Sequence, residues 1–169
     1  MVLVKDGETL AYTCYNCFRE KPTGGTCPFC GYDGRDAAII YPLALKPGSI
    51  LNRRYTVGRV LGHGGFRITY IAQDDQTGER IAIKEYLPGR FANRTSNQSI
   101  QAFSEVQQEN YEYRKAQFME EVRILAAING DEHIVRLYSF FEEKTPHTLS
   151  WSMWMELHWT GILHKKAAD

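Results

Sequence analysis

Three stretches in the middle of the chain alternate between apolar and polar residues, with the period of two that is typical of half-buried strands. They are residues 55–62 (YTVGRVLG), 68–74 (ITYIAQD) and 80–86 (RIAIKEY). The connections between them are short and contain glycine, as GHGGFR at 62–67 and DQTGE at 75–79. Because connections of this kind join neighbouring antiparallel strands, the pattern predicts two successive hairpins.

Residues 109–128 (ENYEYRKAQFMEEVRILAAI) are the one strong helix prediction. Phe118, Val122 and Leu125 recur at i, i+4 and i+7, which predicts a buried stripe. At about 100° per residue, Glu121 lies at the border of this stripe and Glu120 lies on the far side. A carboxylate beside an apolar face is costly unless it is paired, so we expect Glu121 to be paired and Glu120 to be solvated.

Two more strands are predicted after the helix, which we expect Asn129-Gly130 to close. Residues 133–143 (HIVRLYSFFEE) alternate clearly. Residues 149–159 also alternate, with Trp154 breaking the pattern, and could pair as a fifth strand. The predicted fold is α+β, a twisted antiparallel five-stranded sheet with one long helix.

The charge balance narrows the classes of protein. The 169 residues hold 20 Lys+Arg and 20 Asp+Glu, so no overall basic field favours nucleic acid and no acidic excess favours disorder. No apolar run approaches the ~20 residues of a membrane-spanning helix. The start MVLVKDGETL has no apolar core typical of a signal peptide, and we expect a soluble, cytoplasmic protein without a membrane segment.

All four cysteines lie in two CxxC pairs near the start of the chain, Cys14 with Cys17 and Cys27 with Cys30. Two such turns supply the four thiolates of a tetrahedral zinc site. Two disulfides are the alternative, but they rarely persist in a reducing compartment. The segment resembles a zinc ribbon, and because about 35 residues bury little apolar surface, we expect the metal to stabilise it.

Aromatic residues surround the two CxxC pairs and allow two interpretations. They could stack on nucleic-acid bases, or they could form a small core within the ribbon, which is the interpretation we favour. The five are Tyr12, Tyr15, Phe18, Phe29 and Tyr32. The linker that follows contains Pro42, Pro47 and Gly48, and its apolar residues predict that it lies along the next domain.

The loop Gly62-His63-Gly64-Gly65-Phe66-Arg67 and the strand with Lys84 carry a resemblance to a known family. The runs GHGGFRITY and AIKEYLP resemble the amino-terminal lobe of bacterial serine/threonine protein kinases over about residues 51–143. The resemblance implies that the loop covers the phosphates of ATP, that Ala82 lines the adenine pocket and that Lys84 holds the α- and β-phosphates. The implied nucleotide site comprises Leu61, Gly62, Gly64, Gly65, Phe66, Thr69, Ala82, Lys84 and Glu121.

The resemblance makes Glu121 the helix glutamate that pairs with Lys84. The sequence departs from the family at Arg67, where the pattern GxGxxG has its third glycine. The sequence is compatible with two effects of the Arg67 side chain. Either it restricts the approach of the loop to the nucleotide, or its guanidinium contacts phosphate itself.

The domains expected are a zinc ribbon at 1–35, a linker at 36–50, a kinase amino-terminal lobe at 51–148 and an aberrant tail at 149–169. Trp and Met each have a single codon, so few shifted readings of this stretch are possible. Read from the third base of each codon, the codons of Met153–Glu156 give Val-Asp-Gly, and those of Ser150–Met153 permit Met-Glu-Tyr. MEYVDG resembles a kinase hinge. We therefore expect a small deletion near the codons for 147–150, with out-of-frame sequence after it and no carboxy-terminal lobe.

The implied family reaction is ATP-dependent phosphorylation of serine or threonine in a protein substrate. The catalytic-loop and DFG residues that hold Mg²⁺ would belong to the missing lobe, so we expect this chain to bind ATP weakly at most and to be inactive. The alternative is a non-catalytic, pseudokinase-like ribbon module that binds a protein or nucleic acid. The zero net charge argues against nucleic acid, and pairing of Lys84 with Glu121 argues against a vestigial site.

Overall fold

The computed structural model describes residues 12–21, 24–35, 41–90, 92–95, 100–128, 136–144 and 151–158. Its helix α1 is Glu105–Ala127. Its strands are β1 (Tyr12–Thr13), β2 (Glu20–Lys21), β3 (Ile50–Leu51), β4 (Tyr55–Gly64), β5 (Arg67–Asp74), β6 (Arg80–Tyr86), β7 (Ala92–Arg94), β8 (Ile100–Ala102), β9 (Arg136–Lys144) and β10 (Trp151–His158).

The main sheet has six antiparallel strands in the order β3-β4-β5-β6-β10-β9. The five predicted strands are all present, and the two-residue β3 adds a short edge beside β4. The predicted fold class, an antiparallel sheet with one long helix, is confirmed for the described residues. The small hairpins β1–β2 and β7–β8 were not predicted, because strands of two or three residues are too short to show alternation.

Strand β10 lies between β6 and β9, although it follows β9 in sequence. Met155 lies opposite Lys84 and Leu157 lies opposite Ala82, with an irregularity in the β9 pairing between Glu156 and Leu157. The expectation that this stretch pairs as a fifth strand is confirmed for residues 151–158. The rest of the expected tail lies outside the described residues.

Helix α1 begins four residues before its predicted start. Ser104 is the N-cap, and its hydroxyl accepts a hydrogen bond from the Gln107 backbone N–H at 3.3 Å. The predicted stripe faces the sheet, with Phe118 and Val122 buried and Leu125 packed against the same core. The predicted stop at Asn129-Gly130 lies outside the described residues.

A buried ion pair ties the linker to the other face of the sheet. Glu85 is fully buried in β6 and contacts Arg94 Nη2 at 2.6 Å, while the Tyr70 hydroxyl donates to Glu85 at 2.7 Å. Arg94 Nε donates to the Leu43 carbonyl at 2.7 Å, and the Leu45 backbone N–H donates to the Tyr70 hydroxyl at 3.1 Å. Since a buried charge without a partner is very costly, this network fixes residues 43–45 against β5 and β6.

Within the part of the chain that is described, no helix combines the length and the apolar character that crossing a bilayer requires.

Candidate functional site

The glycine loop is the tip of the β4–β5 hairpin, with its turn at Gly65 and Phe66. His63 lies opposite Ile68 and Gly64 lies opposite Arg67. A Cβ added at Gly62 or Gly65 would meet no described atom within 4 Å. Packing inside the described structure therefore does not require these two glycines, and the space that a Cβ would occupy there is open.

Lys84 and Glu121 meet beneath this hairpin. Lys84 Nζ lies 2.7 Å from Glu121 Oε1, and the lysine side chain is only 16% exposed. Strand β6 places Lys84 opposite Thr69, and Ala82 opposite Ile71. Because opposed residues share a face of the sheet, Thr69, Ala82 and Lys84 lie on the side that faces α1.

Arg67 contacts the same carboxylate as Lys84. Its Nη1 lies 2.6 Å from Glu121 Oε2, and its side chain is half exposed. One glutamate therefore bridges two cations, one from the glycine hairpin and one from the centre of the sheet. By contrast, Glu120 is exposed and pairs with Arg123 on its own helix at 3.2 Å.

A cavity of about 220 Å³ separates the hairpin tip from α1. Four residues of the implied nucleotide site line this cavity, Gly64, Gly65, Phe66 and Glu121. Arg114 also lines it, with its guanidinium 4.6 Å from the centre of the Phe66 ring. Leu61 and Ala82 lie on the neighbouring strands, Leu61 half-buried and Ala82 buried.

The four cysteines come together in a second cluster, outside the implied nucleotide site. Their sulfur atoms lie within 4.8 Å of one another, with 3.6 Å between Cys14 and Cys30 and 3.7 Å between Cys17 and Cys27. A tetrahedral site with Zn–S bonds of about 2.3 Å needs sulfurs about 3.8 Å apart. A disulfide needs about 2.05 Å, and all four residues are free thiols. The cluster can therefore hold a metal ion, and its geometry is compatible with zinc.

The two CxxC turns have nearly the same backbone geometry. The Phe18 N–H donates to the Cys14 carbonyl at 2.7 Å, and the Gly31 N–H donates to the Cys27 carbonyl at 2.9 Å. Both residues have positive φ, 58° for Phe18 and 69° for Gly31. Burial raises the pKa of the Cys17 thiol to about 12. At Cys27 burial acts in the same direction, but backbone N–H groups of Phe29 and Cys30 lower the pKa to about 7.

The aromatic residues of the ribbon do not form the separate small core that we favoured. Tyr12 and Phe29 are about half exposed. Tyr15 and Phe18 instead approach glycines of the linker and of β4, and Tyr32 lies under Arg59 of β4. The physical reason is that so short a segment has no interior of its own, so Tyr15, Phe18 and Tyr32 are partly buried against neighbouring segments.

No family model matches the chain. It is 49% identical over 37 residues to CBL-interacting serine/threonine-protein kinase 13 of Arabidopsis thaliana, which is 22% of this chain and 7% of that protein. It is 26% identical over 99 residues to calcium-dependent protein kinase 1 of Oryza sativa subsp. japonica, 59% of this chain and 16% of that protein.

Among solved structures, the chain is similar to the apo form of PpkA-294, with a TM-score of 0.61 and 28% identity. The match covers 69% of this chain and 39% of that one. The chain thus spans well under half the length of each of these relatives. The sheet, the helix and these likenesses together show that the chain carries an amino-terminal lobe of the eukaryotic-like protein kinases.

Proposed function

We propose that the lobe is the ATP-binding half of a serine/threonine protein kinase. The observation that carries this proposal is the contact between Lys84 and Glu121, 2.7 Å long and beneath the glycine hairpin. A mostly buried lysine needs a stable anionic partner, and a glutamate on the helix keeps its ammonium group within reach of a second anion, a phosphate.

The remaining residues of the site take roles that follow from the kinase resemblance. Backbone N–H groups at Gly62, Gly64 and Gly65 would approach the phosphates, with Phe66 at the tip of the loop. The adenine would lie against Leu61, Thr69 and Ala82. These three are on adjacent strands, and the Lys84 side chain lies beside Thr69 on the same face.

We propose zinc as the metal of the four-cysteine cluster, held by Cys14, Cys17, Cys27 and Cys30. Four thiolates in two CxxC turns are typical of a structural zinc site without an open coordination position. Zinc there would supply folding free energy to a segment with little core. The proposal includes a reducing compartment, because the thiols must stay free.

Phosphoryl transfer to a protein serine or threonine is the activity we propose for the whole kinase. It needs Mg²⁺, which neutralises the charge on the phosphates, and a residue that positions the hydroxyl nucleophile. In the family pattern, the residues that hold Mg²⁺ and the residue that positions the hydroxyl belong to the second lobe. For this chain by itself we therefore propose weak ATP binding and no transfer.

Calorimetric titration with Mg-ATP tests the nucleotide site. We expect a dissociation constant weaker than about 100 μM, since the described residues form one wall of the site. Binding should be lost in Lys84→Ala and kept in Lys46→Ala, which removes an exposed lysine of the linker. Absence of Lys84-dependent binding at millimolar nucleotide would contradict the site, and micromolar affinity would contradict the expectation of weak binding.

The position of Arg67 favours a second candidate, a pseudokinase-like module that binds another protein. The family pattern has glycine at this position of the loop. Here an arginine side chain is present instead, and Glu121 accepts a hydrogen bond from its guanidinium. If the Arg67→Gly variant binds Mg-ATP and the natural sequence does not, this second candidate is supported.

A further inference from the structure

The first CxxC turn, residues 14–18, contacts strand β4 through Arg59. The Arg59 backbone N–H donates to the Tyr15 carbonyl at 2.7 Å. Arg59 Nε donates to Asn16 Oδ1 at 2.6 Å, and the guanidinium carbon lies 5.8 Å from the centre of the Tyr32 ring. A backbone amide of the kinase lobe is thus paired with the metal-binding segment and not with a strand of the sheet.

Gly58, next to Arg59, fits closely against the same turn. A Cβ at this position would lie 2.4 Å from the Tyr15 carbonyl oxygen, 2.8 Å from the Phe18 ring and 2.9 Å from the Ile71 side chain. These distances are much shorter than ordinary van der Waals contacts, so only glycine leaves room for the turn at this point of β4. Ile71 lies opposite Ala82, on the face of the sheet that also carries Lys84.

Phe18 adopts a backbone conformation that favours glycine. Its φ of 58° matches that of Gly31, the corresponding residue of the second CxxC turn. A residue with a Cβ is disfavoured in this conformation, and the second CxxC turn has glycine at the corresponding position. In the first turn the Phe18 ring reaches β4, so the unfavourable residue has a contact that explains its presence.

Asn16 connects this contact surface to the sulfur cluster. Its Nδ2 donates to Cys30 Sγ at 3.4 Å, while its Oδ1 accepts from Arg59. The same amide therefore orients a metal-ligating sulfur and holds a residue of β4. Outer-shell hydrogen bonds of this kind fix the orientation of metal ligands and change metal affinity.

We propose that the metal centre controls the glycine hairpin: with the metal bound, the first CxxC turn clamps β4 through Asn16, Phe18 and Arg59, and metal loss releases this strand. The inference rests on the proposed metal site. Arg59 is three residues before Gly62, so release at Arg59 loosens the base of the loop. The metal thereby affects nucleotide binding without contacting the nucleotide.

Amide hydrogen exchange of the full chain, followed by NMR, tests this directly. The Arg59 amide reports the contact, because its partner is the Tyr15 carbonyl, and amides of β6 serve as an internal reference. The chain is loaded with Zn²⁺, and zinc is then removed with a chelator under reducing conditions. We expect exchange at Arg59 to become at least about tenfold faster, with β6 unchanged.

Two variants separate the clamp from metal binding itself. Phe18→Gly removes the ring but suits the positive φ, and Arg59→Met removes the guanidinium but keeps its length. At saturating metal both should still bind one Zn²⁺ per chain and yet show faster exchange at residues 58–62. Arg123→Met, at an exposed arginine of α1 that pairs with Glu120, is the matched control and should exchange like the natural sequence.

A double-mutant cycle adds a second measurement. Asn16→Ala and Arg59→Met should weaken Zn²⁺ binding non-additively, because the two side chains act through one hydrogen bond. Strictly additive effects would overturn the coupling.

The remaining outcomes distinguish the inference from the proposal beneath it. If one Zn²⁺ binds and chelation leaves Arg59 exchange unchanged, the clamp is wrong and the metal site stands. If chelation accelerates exchange in β6 as much as at Arg59, the lobe has unfolded as a whole and the specific clamp is likewise wrong. If no Zn²⁺ binds, the metal site fails and the inference fails with it.

Discussion

Glu121 accepts from both Lys84 and Arg67, and this single carboxylate joins α1, β6 and the glycine hairpin. The helical phase of the sequence placed Glu121 at the border of the buried stripe, and so an inward-facing partner could be expected. The contact of Glu121 with Arg67 could not be expected from the sequence. It depends on how the tip of the hairpin bends toward α1, and alternation along a strand carries no such information.

Replacing Arg67 by glycine should increase the affinity for Mg-ATP by roughly three- to tenfold. The change frees Glu121 to hold Lys84 alone and restores the flexible glycine to the loop, both of which favour approach to the phosphates. Equilibrium titration compares the variant with the natural sequence, and Arg123→Gln controls for the loss of one positive charge. A lower affinity would instead mean that the Arg67 guanidinium itself contacts phosphate.

Asp74 should make the lobe sensitive to acid. Two hydrogen bonds from Arg54, at 3.0 and 2.6 Å, lower the pKa of the buried Asp74 carboxyl from 3.8 to about 2. The folded state therefore favours the ionised form, so this contribution to stability is present above pH 4 and is lost as the pH falls toward 2.

Urea unfolding at several pH values measures this effect. Asp74→Asn should lose about 1–2 kcal/mol at pH 7 and show a flatter dependence between pH 4 and 2. Asp75→Asn, at the exposed neighbour that accepts from the Thr56 hydroxyl, should change little. Equal losses in the two variants would show that the Arg54 pair does not stabilise the lobe.

At the scale of elements, β4, β5 and β6 could be predicted to within two residues, since each is a short run rich in apolar and β-branched residues that is bounded by turn residues. The start of α1 was misplaced because its first turn is polar and belongs to no apolar stripe. Ser104 followed by Gln107 was the available signal, a capping-box spacing. The buried position of Glu85 could not be predicted. A charged residue in a strand is expected to face solvent, and nothing in the sequence identifies Arg94 as its buried partner.

Ser104→Ala should destabilise the lobe by about 1 kcal/mol, because it removes the acceptor for a free N–H at the start of α1. Ser104→Asp should keep most of the stability, since a carboxylate also caps a helix and interacts favourably with its N-terminus. Denaturant unfolding of the three proteins measures the difference. If alanine proves as stable as serine, α1 does not depend on this cap.

At the scale of the whole molecule, the ribbon and the lobe are one packed unit in the described residues. The sequence suggested two modules with separate cores, because the cysteine pattern is local and the strand pattern is local. What joins them, Arg59 with Tyr15 and Asn16, is a contact between residues more than 40 positions apart. Tyr15 and Asn16 lie inside the first CxxC motif, but nothing in the sequence pairs that motif with Arg59, and only the structure brings the three residues together.

The codons of the final segment give another prediction at this scale. Strand β10 occupies the position between β6 and β9 although its composition departs from the kinase pattern. We expect the nucleotide sequence after the codon for Thr148 to continue, in the shifted frame, into HRD-type and DFG-type motifs. A shifted frame that soon meets stop codons would contradict the proposed deletion.

The central claim is that the glycine hairpin, Lys84 and Glu121 form half of an ATP site, and an NMR titration of the zinc-loaded chain with Mg-ATP tests it most directly. The account predicts saturable shift changes in the millimolar range, centred on residues 61–69 and on Ala82 and Lys84, and absent in Lys84→Ala. No change up to about 10 mM nucleotide, or changes centred on the linker at 41–47, would contradict it.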